Sequence, residues 1–155
     1  MLKLKCCKSL IVAFFILFLF NKAILAQKLD DSSKLINLYK EYRLVQQKKT
    51  IWVDTIDNWT GKYHKIMSMV ADTLGKQIYR KKDIINLLGK PDMIINRNTQ
   101  KSTAEIYALI NKKPINKISR KEEYLLYKWR GYRDFIYFYI KGNVVQQSEW
   151  YYSWE

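Results

Sequence analysis

The chain has 155 residues, and 28 Lys and Arg against 14 Asp and Glu give it a net charge of +14. Its two cysteines, Cys6 and Cys7, both lie at the very start, which excludes a disulfide framework or a thiol nucleophile in the rest of the chain. The charge invites an acidic partner, but 22 of the 28 basic residues are Lys rather than the bidentate Arg that base and phosphate readers favour, so no nucleic acid is expected.

The first 26 residues follow the plan of a secretory signal peptide. Lys3, Lys5 and Lys8 make a basic start, Leu10 to Phe20 is an unbroken apolar run, and Ala23-Ile24-Leu25-Ala26 offers a small residue for cleavage before Gln27. The run falls short of the ~20 apolar residues that cross a bilayer. Export with cleavage after Ala26 is the expectation, with retention as an anchor the alternative. No transmembrane span is expected after cleavage. The product, 27–155, reads as one α+β domain in the periplasm or outside the cell. Loss of Lys3, Lys5, Lys8 and Lys22 leaves it 24 basic and 14 acidic residues, a net charge of +10. Its basic clusters (Lys48-Lys49, Arg80-Lys81-Lys82, Lys112-Lys113 and Arg120-Lys121) fall in different predicted elements rather than along one stripe.

Helices are predicted across 32–88. Ser32 or Ser33 is placed to cap a first one, with Leu35, Leu38, Tyr39, Tyr42 and Val45 on its apolar face. A second aligns Ile56, Trp59, Tyr63, Ile66, Met67, Val70 and Leu74, with Asp57 as its cap and Gly75 as its stop. A third, Arg80 to Leu88, turns Ile84, Ile85, Leu87 and Leu88 inward; Gly89 can take a left-handed conformation after it, and Pro91 forbids continuation. Met93 to Asn96 reads as a short strand and Arg97 to Lys101 as a loop. Ser102-Thr103-Ala104-Glu105 has capping-box spacing for a short helix to Asn111, inside an insertion spanning 97–123.

From Tyr124 the pattern changes to strands: Tyr124 to Arg130, a turn at Gly131-Tyr132, Arg133 to Ile140, a loop at Lys141-Gly142-Asn143, and Val144 to Trp154. Strands joined by such short loops must be antiparallel. The fold class is therefore α+β, N-terminal helices packed on one face of a C-terminal antiparallel sheet of about four strands. Alternation puts Ile136, Phe138 and Ile140 on one face and Phe135, Tyr137 and Tyr139 on the other. A three-residue hairpin loop would add Trp150, Tyr152 and Trp154 to the Ile136 face and Gln147, Glu149 and Tyr151 to the Tyr137 face. A two-residue loop would exchange them. Phe138 belongs to the core on either register. Because 12 of the 23 aromatics lie in the last 32 residues, the face opposite the helices is a candidate partner-binding surface, formed by Phe135, Tyr137, Tyr139 and Tyr151; the rival reading is cross-strand pairing that stabilises the sheet.

Two stretches carry a family resemblance. Arg80 to Asp92, ending Leu88-Gly89-Lys90-Pro91-Asp92, resembles the helix and its stop in small outer-membrane assembly lipoproteins of the SmpA/OmlA type and in β-lactamase-inhibitor-like domains. Tyr124 to Trp129, then Phe135 to Val145 with Gly142, and Trp150, are similar to the hairpin ending of the same group. The resemblance implies the α+β fold, structural roles for Gly89, Pro91, Asp92, Phe138, Gly142 and Trp150, and action by protein contact, either in envelope assembly or in enzyme inhibition. No cysteine follows the apolar run as a lipoprotein acceptor, and the insertion has no counterpart in the group.

The inventory for chemistry is thin. His64 is the only histidine, and one His with one Asp, even Asp57 seven residues away, makes neither a triad nor a metal site. Asp30-Asp31 and Glu122-Glu123 are adjacent in sequence and point apart in regular structure. Asn58-Trp59-Thr60 matches a glycosylation sequon, but Trp59 belongs to the apolar helix face. Neither an enzyme nor a cofactor or metal is expected. The leading expectation is an exported protein-binding module with an unidentified partner in the envelope or outside the cell. The alternative is a basic envelope factor holding anionic polymer or lipid headgroups. A hydrolase working through Asp54 or Asp57 is a third.

Overall fold

The computed structural model describes residues 31–76, 78–99, 118–130 and 134–151. Two compact units divide the chain, Met1–Lys34 and Leu35–Glu155. The described residues of the first, 31–34, are helical, and the second contains the sheet. The predicted signal peptide, the helix at Ser102 to Asn111, the Gly131-Tyr132 turn, Tyr152 and Trp154 lie outside the described residues.

Helix α1 covers 31–48. Ser32 and Ser33 are already inside it, so neither is its cap. Its buried stripe is Leu35, Ile36, Tyr39 and Arg43, with Tyr42 packed beside it. The predicted stripe was rotated: Leu38 and Val45 stand 44% and 43% exposed, because the inward direction is set by Arg43, a charged residue that a purely apolar periodicity skips. The second predicted helix is two, α2 at Asp54–Asp57 and α3 at Lys62–Gly75. The Asn58 side chain breaks it by accepting from the Thr60 N–H at 3.0 Å and the Thr60 hydroxyl at 3.1 Å, a local turn that competes with the helix. Tyr63, Ile66, Met67, Val70, Ala71 and Leu74 recur at three- and four-residue spacing along α3 and are all buried. Helix α4, Lys81–Leu88, buries Ile84 and Leu88, and the Arg80 N–H donates to the Asp83 carboxylate at its start.

Four strands follow: β1 Met93–Ile95, β2 Glu122–Arg130, β3 Asp134–Lys141 and β4 Val144–Tyr151. They form an antiparallel meander in the order β1-β2-β3-β4. With the helices occupying 31–88, this is the α+β fold read from the sequence. β2 begins two residues earlier than predicted, at Glu122, because Glu122 and Glu123 pair with Lys141 and Ile140.

The last hairpin combines the two predicted registers. Its loop has two residues, Gly142 and Asn143, with φ of 58° and 70°, as a mirror-image turn requires. Pairing therefore starts at Lys141 with Val144 and Ile140 with Val145, then slips by one so that Tyr139 faces Gln147. This bulge restores the face assignment of a three-residue loop: Trp150 pairs with Ile136, and Tyr151 with Phe135.

The sheet carries two cores. Phe138, Ile136, Ile140, Leu125, Tyr127, Trp129 and Trp150 face the helices in the larger one. On the opposite face Ile95, Tyr124, Leu126, Phe135 and Tyr137 form a second cluster with Ile118, from the predicted insertion, which is 2% exposed there.

The link from α4 to β1 is clasped between α1 and β2. The buried Arg43 guanidinium donates to the Lys90 carbonyl at 3.1 Å and lies 3.0 Å from the Asp92 carboxylate. Asp92 also accepts from the Lys128 N–H at 2.7 Å, and the Tyr127 hydroxyl donates to the Gly89 carbonyl at 2.9 Å. Burial opposes the Arg43 charge, but Tyr39 and Asp92 outweigh it and raise its pKa. Gly89 sits at φ 83° and ψ −173°. That is not the left-handed helical conformation expected of it, but an extended positive-φ region open essentially to glycine alone.

Candidate functional site

The aromatic face is where the sequence reading and the structure part. Phe135 is 0% and Tyr137 4% exposed, so neither belongs to an open docking surface. Tyr139 and Tyr151 are half-buried: Tyr139 stacks on Tyr124 with ring centroids 5.0 Å apart, and Tyr151 on Phe135 at 5.1 Å. The Tyr137 hydroxyl donates to Glu149 at 2.6 Å, and burial together with that carboxylate raises its pKa. Cross-strand pairing around a buried cluster accounts for these aromatics. Alternation reports which residues share a face, not that Ile118 packs on that face in one buried cluster with Phe135 and Tyr137.

The residues considered for chemistry have structural partners. Asp57 is 5% exposed and accepts from Lys49 at 2.6 Å and from the Val53 N–H at 2.8 Å. Asp54 accepts from Asn58 at 3.0 Å. His64 lies among Trp59, Trp129 and Trp150, with ring centroids 5.2, 5.2 and 5.5 Å away. Its Nε2 accepts from the Trp150 indole N–H at 3.1 Å, and an indole nitrogen can only donate, so this imidazole is neutral at Nε2. Burial lowers the His64 pKa, Asp134 pulls it back, and Arg130 and Lys65 lower it further. Beside the cluster, Arg130 lies over the Trp59 and Trp129 rings at 4.3 and 4.6 Å and donates to Asp134 at 3.2 Å. Among the described residues, no three His, Cys, Asp or Glu side chains come together as a metal site requires.

A polar basin remains at one end of the sheet. Antiparallel pairing of Ile95 with Tyr124 and of Glu122 with Lys141 brings the end of β1, the entry to β2 and the β3–β4 turn to the same edge. Asn96, Arg97, Asn98, Arg120 to Glu123, Gly142 and Asn143 line a cavity of about 690 Å³ there. Its walls are tied by backbone N–H donors. The Gly142 N–H donates to the Lys121 carbonyl at 3.0 Å, and the Asn98 N–H to the Asn96 side chain at 2.9 Å. The two carboxylates are engaged: Glu123 lies 2.6 Å from the Lys81 ammonium, and Glu122 3.9 Å from that of Lys141. No ion pair among the described residues involves Arg97, Arg120 or Lys121. The basin is accordingly positive.

Charge that looked scattered in the sequence is gathered here. Arg80 bridges Val144, and the Lys81 N–H donates to the Asn143 carbonyl at 3.0 Å, so the α4 start reaches the same turn that Lys121 holds from the other side. Two of the four basic clusters thus meet at one end of the molecule, a convergence that sequence separation concealed. No helix among the described residues is long and apolar enough to cross a membrane. No known family, curated protein or solved structure matches the chain.

Proposed function

We propose that the chain is an exported module that acts by non-covalent contact with a protein partner, and that the basin at the insertion end of the sheet is its contact surface. One observation carries the reading: buried clusters occupy both sheet faces, while three segments converge on a polar, positively charged concavity of about 690 Å³. The resemblance to small assembly lipoproteins and inhibitor-like domains supports action by contact rather than by catalysis, and the apolar and basic start supports export. The same basin supports a second reading, attachment to anionic polymer or lipid headgroups, on the meeting of Arg80–Lys82 with Arg120–Lys121.

A photoreactive amino acid placed at Asn98, in the basin, or at Met69, exposed on α3, tests the location in intact cells. Protein adducts from position 98 and none from 69 are expected. Adducts from 69 alone would move the contact surface to the helical side.

A further inference from the structure

We infer that the basin takes an acidic peptide segment, one whose Asp or Glu carboxylates meet Arg97, Arg120 and Lys121 while its backbone is held by the amides of the basin wall. The inference rests on the contact reading above and names the chemistry of the partner.

Three features of the site select this class. The first is charge. The end of the sheet gathers Arg80, Lys81, Lys82, Arg97, Arg120, Lys121 and Lys141 against Asp83, Glu122 and Glu123, and those three carboxylates already have donors within the fold. Arg97 and Arg120 each present a planar fork of donors suited to bidentate carboxylate recognition. The second is shape. A bilayer is flat and would meet only the rim of a concavity, whereas an inserted chain segment reaches its floor. The third is the lining. Asn96 and Asn98 supply side-chain amides, so an extended peptide finds hydrogen-bonding groups as well as charge. Among the described residues, no aromatic or large apolar side chain lines the basin.

Fluorescence anisotropy of the exported chain with a dye-labelled oligoglutamate, against the matching oligoglutamine, tests the inference. Vesicles of phosphatidylglycerol serve as the competing anionic source. Binding of the glutamate peptide alone is expected, weakening as salt rises, and weakened at least about tenfold by Arg97→Ala/Arg120→Ala but not by Lys62→Ala/Lys65→Ala on α3. Unchanged thermal melting of both variants is part of the expected result. Equal binding of the two peptides, or vesicle binding that the glutamate peptide does not displace, would overturn it. If the peptide fails while position 98 still crosslinks to a protein, the contact reading stands and only the acidic class falls.

Discussion

Arg43 shows how one buried cation can organise three elements. Its guanidinium is satisfied by the Tyr39 hydroxyl at 3.1 Å, the Lys90 carbonyl and Asp92, and it lies 5.2 Å from the Tyr127 ring centre. Truncation would leave the Asp92 carboxylate and the Lys90 carbonyl without their donor. Arg43→Ala is expected to destabilise by about 3 kcal/mol, toward the low end for a broken buried pair because Asp92 keeps the Lys128 N–H. Urea unfolding of the two proteins side by side checks this, and a loss within 0.5 kcal/mol would show that the clasp is incidental. His64 yields a pH prediction. Its pKa is lowered in the fold from the usual 6.5, so the unfolded chain binds its proton first as pH falls. The stabilisation is complete above that range and is lost as pH drops through it toward the folded value. His64→Gln, which can still accept from Trp150, should flatten the stability slope between about pH 7 and pH 5. An identical slope in both proteins would assign it to other groups. Neither Arg43 nor the indole partner of His64 could be read from the sequence: the first is charged within an apolar stripe, and the second lies 86 residues away.

The best-read elements are those whose information is local. The α4 stop needed only Leu88-Gly89-Lys90-Pro91, and Gly89 does stand at positive φ, although in an extended rather than a helical conformation. A Cβ built there meets nothing within 4 Å, so any penalty on substitution is backbone strain and not collision. Gly89→Val should therefore lower stability by about 1–3 kcal/mol, and a double-mutant cycle with Tyr127→Phe, which removes the hydroxyl that donates to the Gly89 carbonyl, should show coupling of about 0.5 kcal/mol or more. A melting temperature unaffected by Gly89→Val would refute the strained conformation. The last hairpin was only half legible. Turn chemistry at Gly142-Asn143 can be read locally, but the bulge opposite Tyr139 and Ile140 is decided by which register lets Trp150 enter the larger core, and that depends on α3 and β2. The break at Asn58 was missed for a related reason: one side-chain turn outweighed a helical pattern that continued on both sides of it.

At the scale of the molecule, layer order was readable and closure was not. Periodicity separates helix from strand and sorts each strand into two faces, and this was enough for an α+β architecture with Phe138 facing the helices. It carries no information on what lies against the second face, and so Phe135 and Tyr137 read as surface when they are core. Long-range pairing likewise hid the basic end, since Arg80–Lys82 and Arg120–Lys121 meet only once β4 has returned to α4. The central claim is that the aromatic face is core and that contact occurs at the sheet's end. Thermal melting and partner capture, measured together for Tyr137→Ala/Tyr139→Ala and for Arg97→Glu/Arg120→Glu, test it most directly. The account predicts that the tyrosine pair loses about 3–5 kcal/mol of stability, whereas the arginine pair melts normally and captures nothing. A tyrosine pair that melts normally but loses its partner, beside an arginine pair that still binds, would contradict it.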